Sequence, residues 1–146
     1  MASASPTNTV YLVTGANRGL GLGLVKALLS RPHTTVVATV RNDETADGLR
    51  QELTHTGAGN GSRAEVVVLD LSTAPTREQV LAAVPLALAD RIDVLINNAG
   101  RMVPMLPIAD AATVDLRAAF ETNAIAPLAL FQALRLRMVM TSPKTQ

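Results

Sequence analysis

An α/β fold built on a doubly wound parallel sheet is the architecture this sequence predicts, and three observations predict it. Short apolar or β-branched runs of about five residues alternate with stretches of helical periodicity along the chain. The third run, Glu65-Val66-Val67-Val68-Leu69-Asp70, is nearly all apolar, as strands covered on both faces are. A glycine-rich turn, Thr14 to Gly21, stands between the first run and the first helical stretch. Strands joined through helices pair in parallel by right-handed crossovers, so the sheet is wound from βαβ units.

Each element follows in order. Val10 to Thr14 reads as a buried strand. Leu20, Leu22, Val25, Leu28 and Leu29 then recur at helical spacing until Pro32 stops the pattern. Thr35 to Val40 is β-branched enough for a second strand. A polar helix is expected over Asp43 to Thr54, and a flexible loop over Gly57-Ala58-Gly59-Asn60-Gly61. After the third strand comes a helix over Thr76 to Ala89, broken or bent near Pro85, and Ile92 to Ile96 supplies a fourth strand. The last helical pattern runs from about Ala112 to about Val139.

Composition narrows the function. With 146 residues and 48% hydrophobic content the chain buries one core, so a single domain over 1–146 is expected, with 1–8 disordered and 140–146 as a tail. A formal charge of +1 and 2% aromatics argue against a nucleic-acid surface that tracks phosphates and stacks bases. The absence of cysteine excludes disulfides and thiolate metal sites. The two histidines, His33 and His55, fall in loop segments without partner ligands, so no metal is expected. Met1 to Thr9 lacks an apolar core, and no run approaches the ~18 apolar residues of a membrane span. A cytoplasmic protein with no membrane partner is the expectation.

The glycine turn has the chemistry of a nucleotide cradle. Gly15 allows a tight turn out of the strand, Gly19 lets backbone approach a pyrophosphate, and Gly21 permits close packing of the helix. The helix N-terminus then offers free N–H groups and the positive end of its dipole. Arg41 directly follows the second strand, where an acid would accept from a ribose 2′-OH and an arginine offers a charged fork to a 2′-phosphate. NADP(H) is therefore favoured over NAD(H), with Arg18 as a second cation; the alternative is that both arginines merely solvate loops. Asp70 closes the third strand and Asn97-Asn98-Ala99-Gly100 the fourth, at the carboxyl edge where such sheets bind ligands. Asp and Asn also end strands for turn chemistry alone. Pro127 has no N–H for the Asn123 carbonyl, so that carbonyl is either free to hold a water or simply part of a tolerated kink.

These residues together resemble the classical short-chain dehydrogenase/reductase family. Thr14-Gly15-x3-Gly19-Leu20-Gly21 is similar to its cofactor loop, Asp70 to its adenine-contacting acid, Asn97 to Gly100 to its NNAG motif, and Asn123 to its catalytic-helix asparagine. Thr9 to Ala16 with Thr35 to Asn42 also resembles fungal polyketide ketoreductases of the norsolorinic acid ketoreductase type. The resemblance implies a Rossmann-type sheet of strand order 3-2-1-4 with flanking helices, the N-terminal part of the family fold. It implies cofactor contacts from Thr14, Gly15, Asn17, Arg18, Gly19, Leu20, Gly21, Arg41, Asp70, Leu71, Asn97, Asn98, Ala99 and Gly100, and a catalytic role for Asn123. The substrate of the complete enzyme is then a carbonyl compound or alcohol, with a place in secondary metabolism.

One part of the family pattern is missing. The family continues into a strand bearing a serine and a helix bearing Tyr-x3-Lys, whereas the one tyrosine here, Tyr11, has Gly15 four residues on. Ser142 and Lys144 lie in a tail without strand character. A chain truncated before that segment, inactive or impaired as a reductase, is the expectation. A non-catalytic NADP-binding module is the alternative. A further alternative is an oligomer, or association with a full-length homologue through Leu128, Leu130, Phe131, Leu134 and Met138. Met102 to Ile108 is expected to form an apolar pocket wall.

Overall fold

The computed structural model describes residues 8–84, 88 and 91–135. Four strands, β1 (Thr9–Val13), β2 (Thr34–Val40), β3 (Arg63–Val68) and β4 (Val94–Ile96), form one parallel sheet in the order β3-β2-β1-β4. The helices are α1 (Gly19–Leu29), α2 (Asp43–Thr54), α3 (Arg77–Ala83), α4 (Thr113–Phe120) and α5 (Ala126–Leu134). This is the Rossmann-type order expected, with the strand order reversing direction at β1.

Pleating divides the core between the two faces of the sheet. Val13, Val36, Ala38 and Val40 pack with Val25, Leu28, Ala46 and Leu49 of α1 and α2. Val10, Leu12 and Val37 turn the other way, against Val80 of α3 and Ala126, Leu130, Ala133 and Leu134 of α5. Neighbouring residues of one strand thus serve opposite layers, which is why central β2 is buried along its whole length.

Four expectations are corrected. β3 ends two residues before Asp70, because its register against β2 closes at the Val40–Val68 pair. It is also an edge strand in which Val67 alone is buried, so its apolar run does not mean cover on both faces. β4 starts at Val94 rather than Ile92, since the Asp93 carboxylate takes the Val10 N–H at 2.7 Å. Asn8 is anchored, not disordered: its amide donates to Thr35 Oγ1 at 3.0 Å and to the Gly61 carbonyl at 2.8 Å. The rest of the expected disordered start and the 140–146 tail lie outside the described residues.

The 57–61 loop is likewise pinned rather than free, with Gly59 N donating to Leu29 O at 2.9 Å and His33 N to Asn60 O at 2.9 Å. α3 starts from a reciprocal cap between Thr76 and Gln79 and stops at Ala83; the stretch around Pro85 lies outside the described residues. The last helical pattern is divided, with α4 passing into a π-helical turn, Glu121–Ile125, and then α5. Ala126 N donates five residues back to Glu121 O, so the chain takes up Pro127 by widening a turn, a device frequent at functional sites. The remaining helical residues to Val139, and Met138 with them, lie outside the described residues.

Candidate cofactor-binding site

The glycine turn is held by the end of β4. Thr14 is buried, and its hydroxyl accepts from Asn98 N and Ala99 N, both at 3.0 Å, while donating to Ile96 O at 3.4 Å. That uses the full capacity of one hydroxyl. Asn98 answers from the other side, its amide donating to the carbonyls of Thr14 at 2.9 Å and Gly15 at 3.1 Å. Ala16 N reaches Thr39 O of β2 at 3.0 Å, so the turn is fixed to both flanking strands.

The glycines are explained by what a side chain would hit. A Cβ on Gly15 would lie 2.8 Å from Ala99 Cα, and one on Gly21 would lie 2.2 Å from Gly15 O and 2.6 Å from Asn98 Nδ2. Gly19 is different, with φ +54° and nothing within 4 Å of an added Cβ, so it faces open space. α1 begins there without a side-chain cap and with no acid in its first turn. α2 and α3, by contrast, are each closed by a capping box, Asn42 with Thr45 and Thr76 with Gln79. The first N–H groups of α1 are therefore left for an anion.

The remaining expected residues lie in the glycine turn or follow the carboxyl ends of the other strands of the parallel sheet. Asn17 is half-buried, Arg18 and Leu20 are exposed in the turn, and Arg41 is exposed at the end of β2. Asp70 is exposed beyond β3, with Oδ1 accepting from Ser72 N at 2.9 Å, so one oxygen serves the turn. The Leu71 side chain is in the core, which leaves only its backbone for a ligand. Asn97 and Gly100 are exposed after β4, and Ala99 is half-buried.

Asn123 joins the helix to this edge. Its Oδ1 accepts from Arg101 N at 2.8 Å and its Nδ2 donates to Arg101 O at 2.9 Å, fixing the backbone just after Gly100. Glu121 Oε1 makes a second tie, accepting from Ala74 N at 2.9 Å in the loop after β3. Sequence reading located Asn123 through Pro127 but not its partner Arg101, nor the Thr14–Asn98 lock. Neither pairing leaves a spacing signal, since 22 and 84 residues separate the partners.

The family model for short chain dehydrogenases matches residues 9–144. The chain belongs to the short-chain dehydrogenase family. It is 40% identical over 137 residues to norsolorinic acid ketoreductase of Aspergillus parasiticus, covering 91% of this chain and 48% of that protein. It is 35% identical over 127 residues to a short-chain dehydrogenase of Neurospora crassa, covering 87% and 50%. The chain thus spans about half the length of the curated relatives it matches.

Among solved structures, a metagenomic short-chain oxidoreductase in complex with NADP superposes with a TM-score of 0.71 at 30% identity, over 90% of this chain and 57% of that one. NADPH-bound carbonyl reductase from chicken fatty liver gives 0.69 at 31% identity, over 88% and 48%. Among the described residues no helix is long and apolar enough to cross a membrane.

Proposed function

We propose that this short-chain dehydrogenase chain is the cofactor-binding part of an NADP(H)-dependent oxidoreductase acting on a ketone or secondary alcohol. The observation that carries the reading is the pair Arg18 and Arg41. Both are exposed and neither forms an ion pair among the described residues; Arg31, Arg77, Arg117 and Arg135 are likewise exposed and unpaired there, so what singles out Arg18 and Arg41 is their place, in the glycine turn and at the carboxyl end of β2. One guanidinium in the turn that opens the uncapped α1 and another at the carboxyl end of the neighbouring strand β2 fit a ligand with a pyrophosphate and a further phosphate. The NADP and NADPH of the two solved relatives, and the ketoreductase name of the Aspergillus protein, support the same reading.

In this reading the first N–H groups of α1, opened by Gly19, hold the pyrophosphate, and Arg18 and Arg41 hold the 2′-phosphate. Asp70 and Asn97 present polar groups to the adenosine, and Ala99-Gly100 keeps the backbone low beneath a ribose. When bound, the dinucleotide supplies or accepts a hydride. Asn123 is a positioning residue that fixes the Arg101 backbone at the edge of the site.

Carbonyl reduction also needs a proton at the oxygen. Tyr11 is half-buried in β1 with Gly15 four residues on, so neither it nor a lysine partner serves that step from here. Positioned proton transfer is worth roughly 10²–10⁴ in rate, so the 146 residues alone bind cofactor and turn it over slowly.

Competition distinguishes the phosphate site. Adenosine 2′,5′-bisphosphate should raise the melting temperature of the chain at concentrations where AMP does nothing. Equal effects of the two nucleotides would remove the 2′-phosphate assignment.

A further inference from the structure

The geometry points to Arg101 as a specificity-determining residue that receives an acidic group on the substrate, a carboxylate or ionised phenol carried by an apolar ring system. The inference rests on the cofactor reading above and adds the substrate class to it. Three observations converge. Arg101 follows Gly100 at the carboxyl end of β4, and the sheet order β3-β2-β1-β4 sets it across β1 from Arg41. A dinucleotide lying over this edge with its adenosine phosphate at Arg41 extends toward β4, so Arg101 stands on the side of the reacting carbonyl.

The second observation is that the backbone of Arg101 is hydrogen-bonded while its guanidinium is not, among the described residues. Asn123 holds Arg101 N and O at 2.8 and 2.9 Å, yet the guanidinium has only Asp115 Oδ1, with Nη2 at 3.7 Å, beyond hydrogen-bond reach. Both side chains are partly exposed, at 49% and 33%. A carboxylate or phenolate in bidentate range replaces so long a contact with little loss.

The third is the surface that follows. Met102, Met105 and Ile108 are 83%, 92% and 93% exposed, Val103 and Leu106 are exposed with them, and Pro104 and Pro107 stiffen the run. A cation at the root of a methionine-rich apolar strip complements a ligand with an apolar body and one anionic end, and methionine adapts to flat aromatic surfaces.

The test uses the 146-residue chain labelled with ¹³C at methionine methyls, titrated with 2-naphthoate and with the neutral ketone 2-acetylnaphthalene, in the presence and absence of NADPH. Naphthoate should shift the Met102 and Met105 methyl signals saturably and bind roughly tenfold more tightly than the ketone, the ratio one charge-assisted hydrogen bond supplies. Arg101→Gln should equalise the two ligands, and Asp115→Asn should strengthen naphthoate alone by removing its competitor. Equal binding of acid and ketone, a preference that survives Arg101→Gln, or no methyl response would overturn the assignment. NADPH is followed in the same samples, so a chain that answers to NADPH but not to naphthoate refutes this inference alone. A chain that answers to naphthoate but not to NADPH refutes the cofactor reading, and the substrate role of Arg101 falls with it.

Discussion

Gly19 and Gly21 stand two residues apart and require glycine for unrelated reasons. At Gly19 an added Cβ meets nothing, so alanine there costs only the left-handed backbone, about 1–2 kcal/mol, and leaves a folded chain. The same methyl would stand where the proposed pyrophosphate comes close, so Gly19→Ala should abolish NADPH binding while the circular dichroism spectrum is kept. Gly21→Ala drives a Cβ onto the Gly15 carbonyl, which is backbone and cannot yield, and should lower stability by about 3 kcal/mol in urea titration. Thr14→Val keeps the shape and removes the acceptor of two N–H groups, a loss of at least about 2 kcal/mol. If Thr14→Val were neutral, the lock between the glycine turn and β4 would not be what positions the site.

At the scale of elements, α1 and α2 are clasped by Lys26 and Glu52. The Lys26 hydrogen bond, and then its charge, hold the Glu52 carboxyl below its ordinary value of 4.5. A depressed folded value means that the clasp stabilises the fold above pH 4.5 and is lost as pH falls through the folded value. Glu52→Gln should therefore melt with a shallower acid dependence than the parent between neutral pH and pH about 3. Both carboxyl and ammonium are exposed, so the effect is small and fades with salt. Most elements were legible from pattern alone: α2 occupies Asp43 to Thr54 as its polar run implies, and α1 stops before Pro32. β3 was misplaced because an apolar run does not say which of its residues have a partner strand; the register against β2 decides that. The π turn was half legible. Pro127 announces a defect, but whether the chain kinks or widens depends on Asn123 and Glu121 being held by loops far away in sequence.

For the whole molecule, surface and core are divided differently from the sequence pattern. Leu130 and Leu134, expected on an association face, are buried against the sheet, whereas Leu128 and Phe131 are exposed on the same helix. Leu134→Glu should unfold the chain, while Phe131→Glu should leave it folded and reduce any self-association measured by sedimentation. Among the described residues β4 pairs with β1 alone. The central proposal concerns the carboxyl edge, where Arg18, Arg41 and the open start of α1 are proposed to receive NADP(H). It is tested most directly by titrating the purified chain and its Arg41→Asp variant with NADPH and NADH, following nicotinamide fluorescence and melting temperature together. The account predicts saturable NADPH binding to the parent, tighter than NADH, and a loss of about tenfold or more in the variant for NADPH only. A folded chain that binds both cofactors equally, or whose NADPH affinity is unchanged by Arg41→Asp, would contradict it.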